Sequence, residues 1–260
     1  MTITFVSTTT QASGTAVPGT GTTSVTSPLP ATMATGDRVF MVVGNKPETA
    51  NPTTPTGWSL AGTATGGGGT TGARTGPVRI TVFYRDKDAS WSTMPLVTVT
   101  GANVSWAGAT VYRSTVGWAV PVSAIGSRST AATAWAVTLT SNPGLQPGDL
   151  AFVASNSSSW QATYSAESIT ATGVTAWSTF TERYEGGNSG GNEVGGWVFD
   201  GQVVTGTSTA NPVINTTLST TTGAYGPSIL VRQREAAAVA PGPRAVSRII
   251  QQAVNRAATY

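Results

Sequence analysis

Apolar and polar residues alternate with a period of two along most of this chain. Val78-Arg79-Ile80-Thr81-Val82-Phe83-Tyr84-Arg85 is one such stretch, and Leu96-Val97-Thr98-Val99-Thr100 is another. Thr133 to Leu139, Val194 to Phe199 and Ile229 to Arg232 read alike, and clusters of Gly, Pro, Asn and Ser separate them. Alternation of this kind marks strands with one buried face, and the clusters mark turns. No segment before residue 234 shows a helical apolar period. The pattern predicts an all-β chain built as sandwiches.

The pattern also repeats. Gly36-Asp37-Arg38-Val39-Phe40-Met41-Val42 returns as Gly148-Asp149-Leu150-Ala151-Phe152-Val153-Ala154, and Thr22 to Val25 overlays Ala134 to Val137. Gly57-Trp58-Ser59 has an echo in Ala176-Trp177-Ser178, and Ile80 to Tyr84 in the block from Gly196 to Phe199. Trp106 to Arg113 overlays Tyr225 to Arg232. The expected fold is therefore two tandem jelly-roll-like β-sandwich modules from an internal duplication, residues 1–115 and 116–234. The joint Ser114-Thr115-Val116-Gly117 is too short for a free linker, so the modules should pack together. Exchange of strands between the halves into one larger sandwich is the competing geometry.

Past Glu235 the grammar changes. Residues 235–243 read as a linker ending in Pro-Gly-Pro, and residues 244–260 as an amphipathic helix that Pro243 opens. Val246, Ile249, Ile250, Ala253, Val254 and Ala257 form its apolar stripe, with Arg248 on the polar side. A helix this short is marginal alone. Burying its four large aliphatic side chains could supply roughly 6–12 kcal/mol. A neighbouring subunit is the expected surface, which makes this an assembly helix.

Composition closes off several chemistries. The 260 residues include no cysteine and no histidine, and 10% are charged. Disulfides, thiolate nucleophiles, the usual imidazole base and the commonest metal ligand are all missing. No catalytic residue, metal or cofactor is expected. Asp37 and Asp149 read as turn formers rather than calcium ligands. Asp86 and Asp88 read as loop charges. Glu182 and Glu185, the other local acidic pair, stand three apart on a strand and should face opposite ways.

The net charge of +3 suggests nucleic acid until it is placed. Arg232, Arg234, Arg244, Arg248 and Arg256 all follow position 231, opposed there only by Glu235. The rest of the chain is nearly neutral and offers no basic stripe for a phosphate backbone. Its longest apolar run, Val39 to Val43, is far too short to span a bilayer, and the first residues do not read as a signal peptide. Neither nucleic acid nor membrane is an expected partner.

Two Gly-rich stretches, Gly66 to Gly69 and Gly186 to Asn192, lack the phosphate-loop spelling and read as hairpin loops or contact loops. Of the eight tryptophans, Trp58, Trp106, Trp135, Trp177 and Trp197 lie in strand-like segments and belong to the core. Trp91 and Trp160 sit among serines and are the candidates for exposed contact aromatics, able to stack on a sugar.

The repeated motifs resemble a family of virion structural proteins from tailed phages of actinobacteria, the minor tail proteins. Gly36-Asp37, Gly57-Trp58, Phe83-Tyr84-Arg85 and the closing strand Trp106 to Arg113 carry the resemblance, which spans about residues 30–234. The second copy departs from it at Asp200, which follows Phe199 directly, and at Tyr225, which replaces Trp106. The resemblance implies a non-enzymatic β-sandwich component of the virion, assembled in the host cytoplasm. Its partners would be other virion proteins and copies of itself, as a homo-oligomer. A capsid decoration or head fibre protein is the alternative within that class. A carbohydrate-binding or host-adhesion module, contacting a cell-surface glycan, is the alternative outside it.

Overall fold

A computed structural model describes residues 3–9, 12–15 and 22–237. The expected helix 244–260 and most of the expected linker lie outside the described residues. Among the described residues the chain is strands and turns, with no helix.

Among the described residues the first half supplies nine strands: β1 (Thr4–Thr8), β2 (Ala12–Thr15), β3 (Thr22–Thr26), β4 (Arg38–Lys46), β5 (Asn51–Pro52), β6 (Ser59–Gly66), β7 (Val78–Asp86), β8 (Leu96–Thr100) and β9 (Val104–Arg113). The second supplies nine more: β10 (Val122–Arg128), β11 (Ala134–Thr138), β12 (Leu150–Ser157), β13 (Tyr164–Thr170), β14 (Val174–Trp177), β15 (Thr181–Asn188), β16 (Val194–Gly206), β17 (Val213–Leu218) and β18 (Gly226–Gln233). All ladders are antiparallel and join strands of the same half. Each half folds into one large sheet and one three-stranded sheet. The large sheets run β1-β9-β4-β7-β6 and β10-β18-β12-β16-β14, with β2 added on β9 and β15 on β16. The small ones run β3-β8-β5 and β11-β17-β13.

The four sheets stack as small, large, large, small. The central strands show why. In β4, Val39, Met41 and Val43 point into a core shared with β3 and β8, while Phe40 and Val42 point the other way. In β12, Ala151 and Val153 face the small sheet, and Leu150, Phe152 and Ala154 face the first half. Strands buried on both faces read as unbroken apolar runs, and Val39 to Val43 is such a run. A central core thus joins the halves, drawing Ile80, Val82 and Trp106 from one and Tyr184, Val198 and Ile229 from the other. Phe40 stacks on Phe152 across it, ring centroids 4.8 Å apart. The small sheets keep one solvated face: in β8 only Val97 and Val99 are buried, and in β11 only Trp135 and Val137.

Trp106 fits its site because two glycines make room. A Cβ on Gly44 would stand 2.1 Å from the indole Nε1, and one on Gly196 would stand 2.3 Å from Cζ2. The indole N–H donates across the halves to Asn156 Oδ1 at 3.0 Å, and Asn156 Nδ2 donates back to Arg79 O at 2.7 Å.

The ladders also set the register between the halves. Arg38 stands opposite Tyr112, and Leu150 opposite Gln233. Tyr112 therefore corresponds to Gln233 and Arg113 to Arg234, two residues on from the sequence overlay.

Candidate functional site

The strands run the length of the stack, so the functional side chains gather at its two ends. One end carries the paired Gly-Asp turns. Gly36 and Gly148 adopt φ of 91° and 88°, a left-handed conformation that side chains resist. Asp37 then accepts from Ala34 N at 2.7 Å, and Asp149 from Gln146 N at 2.9 Å. Each carboxylate, buried, also takes a bidentate arginine from the end of the closing strand of its half or the residue just past it. Arg113 reaches Asp37 at 2.7 and 2.8 Å, and Arg234 reaches Asp149 at 2.6 and 2.7 Å. The turn-former reading of both aspartates describes this geometry, but the arginine clamp was not visible from spacing.

Between these clamps lies Arg38, 3% exposed, on β4. It donates to Asp86, to Ala119 O at 2.7 Å and to Gln233 Oε1 at 2.6 Å, and its guanidinium lies over the rings of Tyr84 and Trp118. Asp86, expected as a loop charge, is thus half of a charged contact. Glu235 and Ala236, expected to begin a linker, are bonded to the chain at Trp118 and Gly117. Deeper between the halves, Tyr112 donates to Asp200, which also receives Arg183 at 2.5 and 2.7 Å.

The other end carries the Gly-rich loops, and they meet each other. Arg74 of the first half pairs with Glu193 of the second at 3.0 Å. Gly76 N donates to Tyr225 OH. At their centre Lys46, wholly buried, donates to Gly72 O at 2.8 Å, Ser158 O at 3.3 Å and Asn192 O at 2.6 Å. Burial brings the Lys46 ammonium down to about 8, against an opposing pull from Glu193. The unfolded chain therefore holds this proton more tightly, so stability should rise as pH increases from about 8 toward 10.5. The rise is bounded near 3 kcal/mol, because each pKa unit is worth about 1.4 kcal/mol. Tyr112, Tyr164 and Tyr184 oppose it at higher pH, since burial raises all three. Urea unfolding between pH 8 and 9.5 should show increasing stability in the natural chain and a flatter profile in Lys46→Met. A flat profile in both would remove the assignment.

The same end holds an exposed indole. Trp160 is 45% exposed and walls a groove of about 430 Å³ with Gln161, Thr163, Glu185, Gly186 and Gly187. Trp91, expected beside it as a second surface aromatic, is instead buried at 7% exposure. Its Ser-rich turn folds over the first sandwich core, where the indole packs on Trp58 at 5.7 Å under the cations of Arg85 and Lys87. The apolar surface of the ring outweighs the polarity of its sequence neighbours.

Glu182 and Glu185 also depart from expectation. A bulge between Glu182 and Tyr184 shifts the register, so Glu182 lies opposite Phe199 and Glu185 opposite Trp197, on the same face. Partial burial, then the charges of Glu185 and Glu167, push the Glu182 carboxyl up to about 7. The arrangement concentrates negative charge and holds a proton near neutrality. Among the described residues, no group of three His, Cys, Asp or Glu is arranged to hold a metal ion. The stripe Val246, Ile249, Ile250, Ala253, Val254 and Ala257, with Arg248, lies outside the described residues.

No family model, curated protein or solved structure matches the chain.

Proposed function

We propose that the chain is a non-enzymatic structural component of a bacteriophage virion, of the minor tail protein type, built into the particle in several copies. One observation carries the reading: the halves pair their strands in the same order. Taking β1, β3, β4, β5, β6, β7, β8 and β9 as eight successive strands, the sheets run 1-8-3-6-5 and 2-7-4. The second half gives the same orders with β10, β11, β12, β13, β15, β16, β17 and β18. The arrangement is jelly-roll-like, with its fifth strand moved to the large sheet, and we read it as a duplicated module. The repeated Asp-Arg clamps support the duplication. Two such units locked through a shared core suit a load-bearing part of a lattice better than a catalyst. The C-terminal residues 244–260, read as a helix, would anchor the chain to a neighbour.

Gold-labelled antibody against the chain should mark the tails of purified particles. Particles that carry none of the chain would overturn the reading, and label confined to capsids would move it to the head. The Trp160 groove favours a second reading, a glycan-binding module. Saturable binding to host cell-wall sugar that Trp160→Ala abolishes would establish it.

A further inference from the structure

Two edge strands of the large sheets lie side by side. β6 ends the first large sheet and β10 ends the second. Glycines let them touch. A Cβ on Gly62 would stand 3.0 Å from Ser123 Oγ, and one on Gly66 would stand 2.5 Å from Ser127 Cβ. The two contacts keep step, so the strands run in the same direction at a fixed spacing. Along their seam lies a groove of about 290 Å³, lined by Thr63, Thr65 and Arg79 from the first half and Ile125, Ser127 and Thr140 from the second. The Thr140 wall is pinned to β10: its N and Oγ1 both donate to Ile125 O, at 2.7 and 3.0 Å.

Arg79 is the charged group of this groove. Arg38, Arg74, Arg85, Arg113, Arg183 and Arg234 each lie against a carboxylate. Arg79 is half-buried, and among the described residues its bonds go to neutral oxygens alone. Its Nε donates to the backbone O of Glu48 at 2.7 Å, and its Nη1 to Thr63 Oγ1 at 3.1 Å. Thr63 is a wall of the groove, so the head of the guanidinium stands there. Nη2 has no protein partner among the described residues and keeps accessible surface. Burial draws the Arg79 guanidinium down from its ordinary range, with the Glu48 charge opposing from beyond contact. A partly desolvated cation met by neutral oxygens retains its attraction for an anion.

Two hydroxyls add to the donors. Thr65 and Ser127 are exposed, one on each wall, and neither hydroxyl has a protein partner among the described residues. A guanidinium edge alone satisfies the two oxygens of a planar carboxylate. Further hydroxyl donors on two walls suit a tetrahedral anion, which has more oxygens to fill.

We propose that the groove between β6 and β10 binds a phosphate group, with Arg79 Nη2 and the hydroxyls of Thr65 and Ser127 as its donors. The bound group touches both halves of the chain. The site stands independently of the virion reading.

The test uses the full chain at constant ionic strength, held with chloride. Titrated inorganic phosphate should shift the amide resonances of Thr65, Gly126 and Ser127 and the Nε–H resonance of Arg79. Arg79→Gln should weaken the response about tenfold or more, the scale of a lost charge-assisted bond. Ser127→Ala should weaken it less. Glu48→Gln keeps the backbone oxygen that holds Arg79 Nε and removes the competing charge, so it should tighten binding. Glucose 6-phosphate separates the sources of the group: tighter binding than inorganic phosphate assigns a sugar phosphate, equal binding assigns the free ion, and both support the site. Shifts that Arg79→Gln and Glu48→Gln leave unchanged mean an adventitious ion only and overturn the proposal. Acetate binding as tightly as phosphate overturns the choice of a tetrahedral anion. No shift with inorganic phosphate or glucose 6-phosphate overturns the site.

Discussion

Replacing Trp106 with alanine is expected to lower stability by about 3–5 kcal/mol, the range for a large aromatic removed from a packed core. The indole is fully buried and lies on bare backbone at Gly44 and Gly196, which cannot move in to fill the space. The loss also leaves Asn156 Oδ1 without its donor between the halves. A chain of this size should lose about 10 °C or more in Tm. The form of the transition matters as much as its midpoint. Trp106 belongs to the core that both large sheets share, so calorimetry should show both halves melting in one step, at a lower temperature. Two separate transitions, with only the first-half transition shifted, would show that the shared core does not couple the halves.

Asp200→Ala is expected to cost a similar amount, about 3–5 kcal/mol, for a different reason. Asp200 is 3% exposed and holds Arg183 by two contacts and Tyr112 by a third. Removing the carboxylate strands a guanidinium that is largely buried, and removing one partner of a buried ion pair is far costlier than the pair is worth. Tyr112→Phe should cost only about 1 kcal/mol, because Asp200 keeps its arginine. Denaturant unfolding of both single variants and the double variant closes the cycle. Asp200→Ala within 1 kcal/mol of the natural chain would show that water reaches Arg183 and that the network is not closed.

Much of the strand content is written in the alternation of residues 96–100 and 133–139, because the small sheets have one wet face. The stacking of the two large sheets is written differently, in the unbroken runs of β4 and β12, which mark strands covered on both sides. The closing strands were overlaid two residues out of register. A slip of two leaves every side chain on its own face, so the apolar pattern could not reveal it, and only pairing across β4 and β12 does. The bulge at Glu182 is invisible for the opposite reason: one added residue reverses the faces without leaving a mark in composition.

The candidate site was less legible. Trp160 stood out as an aromatic among serines, and the same reasoning misplaced Trp91, whose surroundings come from a fold-back over Trp58. Lys46 and Arg38 gave no signal, because a lone charge in a strand is ordinarily solvated. Their burial depends on carbonyls and side chains supplied by the other half, far away in sequence.

Trp118 lies over the first of the paired Gly-Asp turns, its Nε1 donating to Gly36 O at 2.8 Å. Two separate copies of a module would have to keep identical ends, whereas halves joined in one chain can finish theirs differently. Among the described residues each chain has one indole-capped turn for two sandwiches, and that two-to-one ratio would hold in an array of any number of chains.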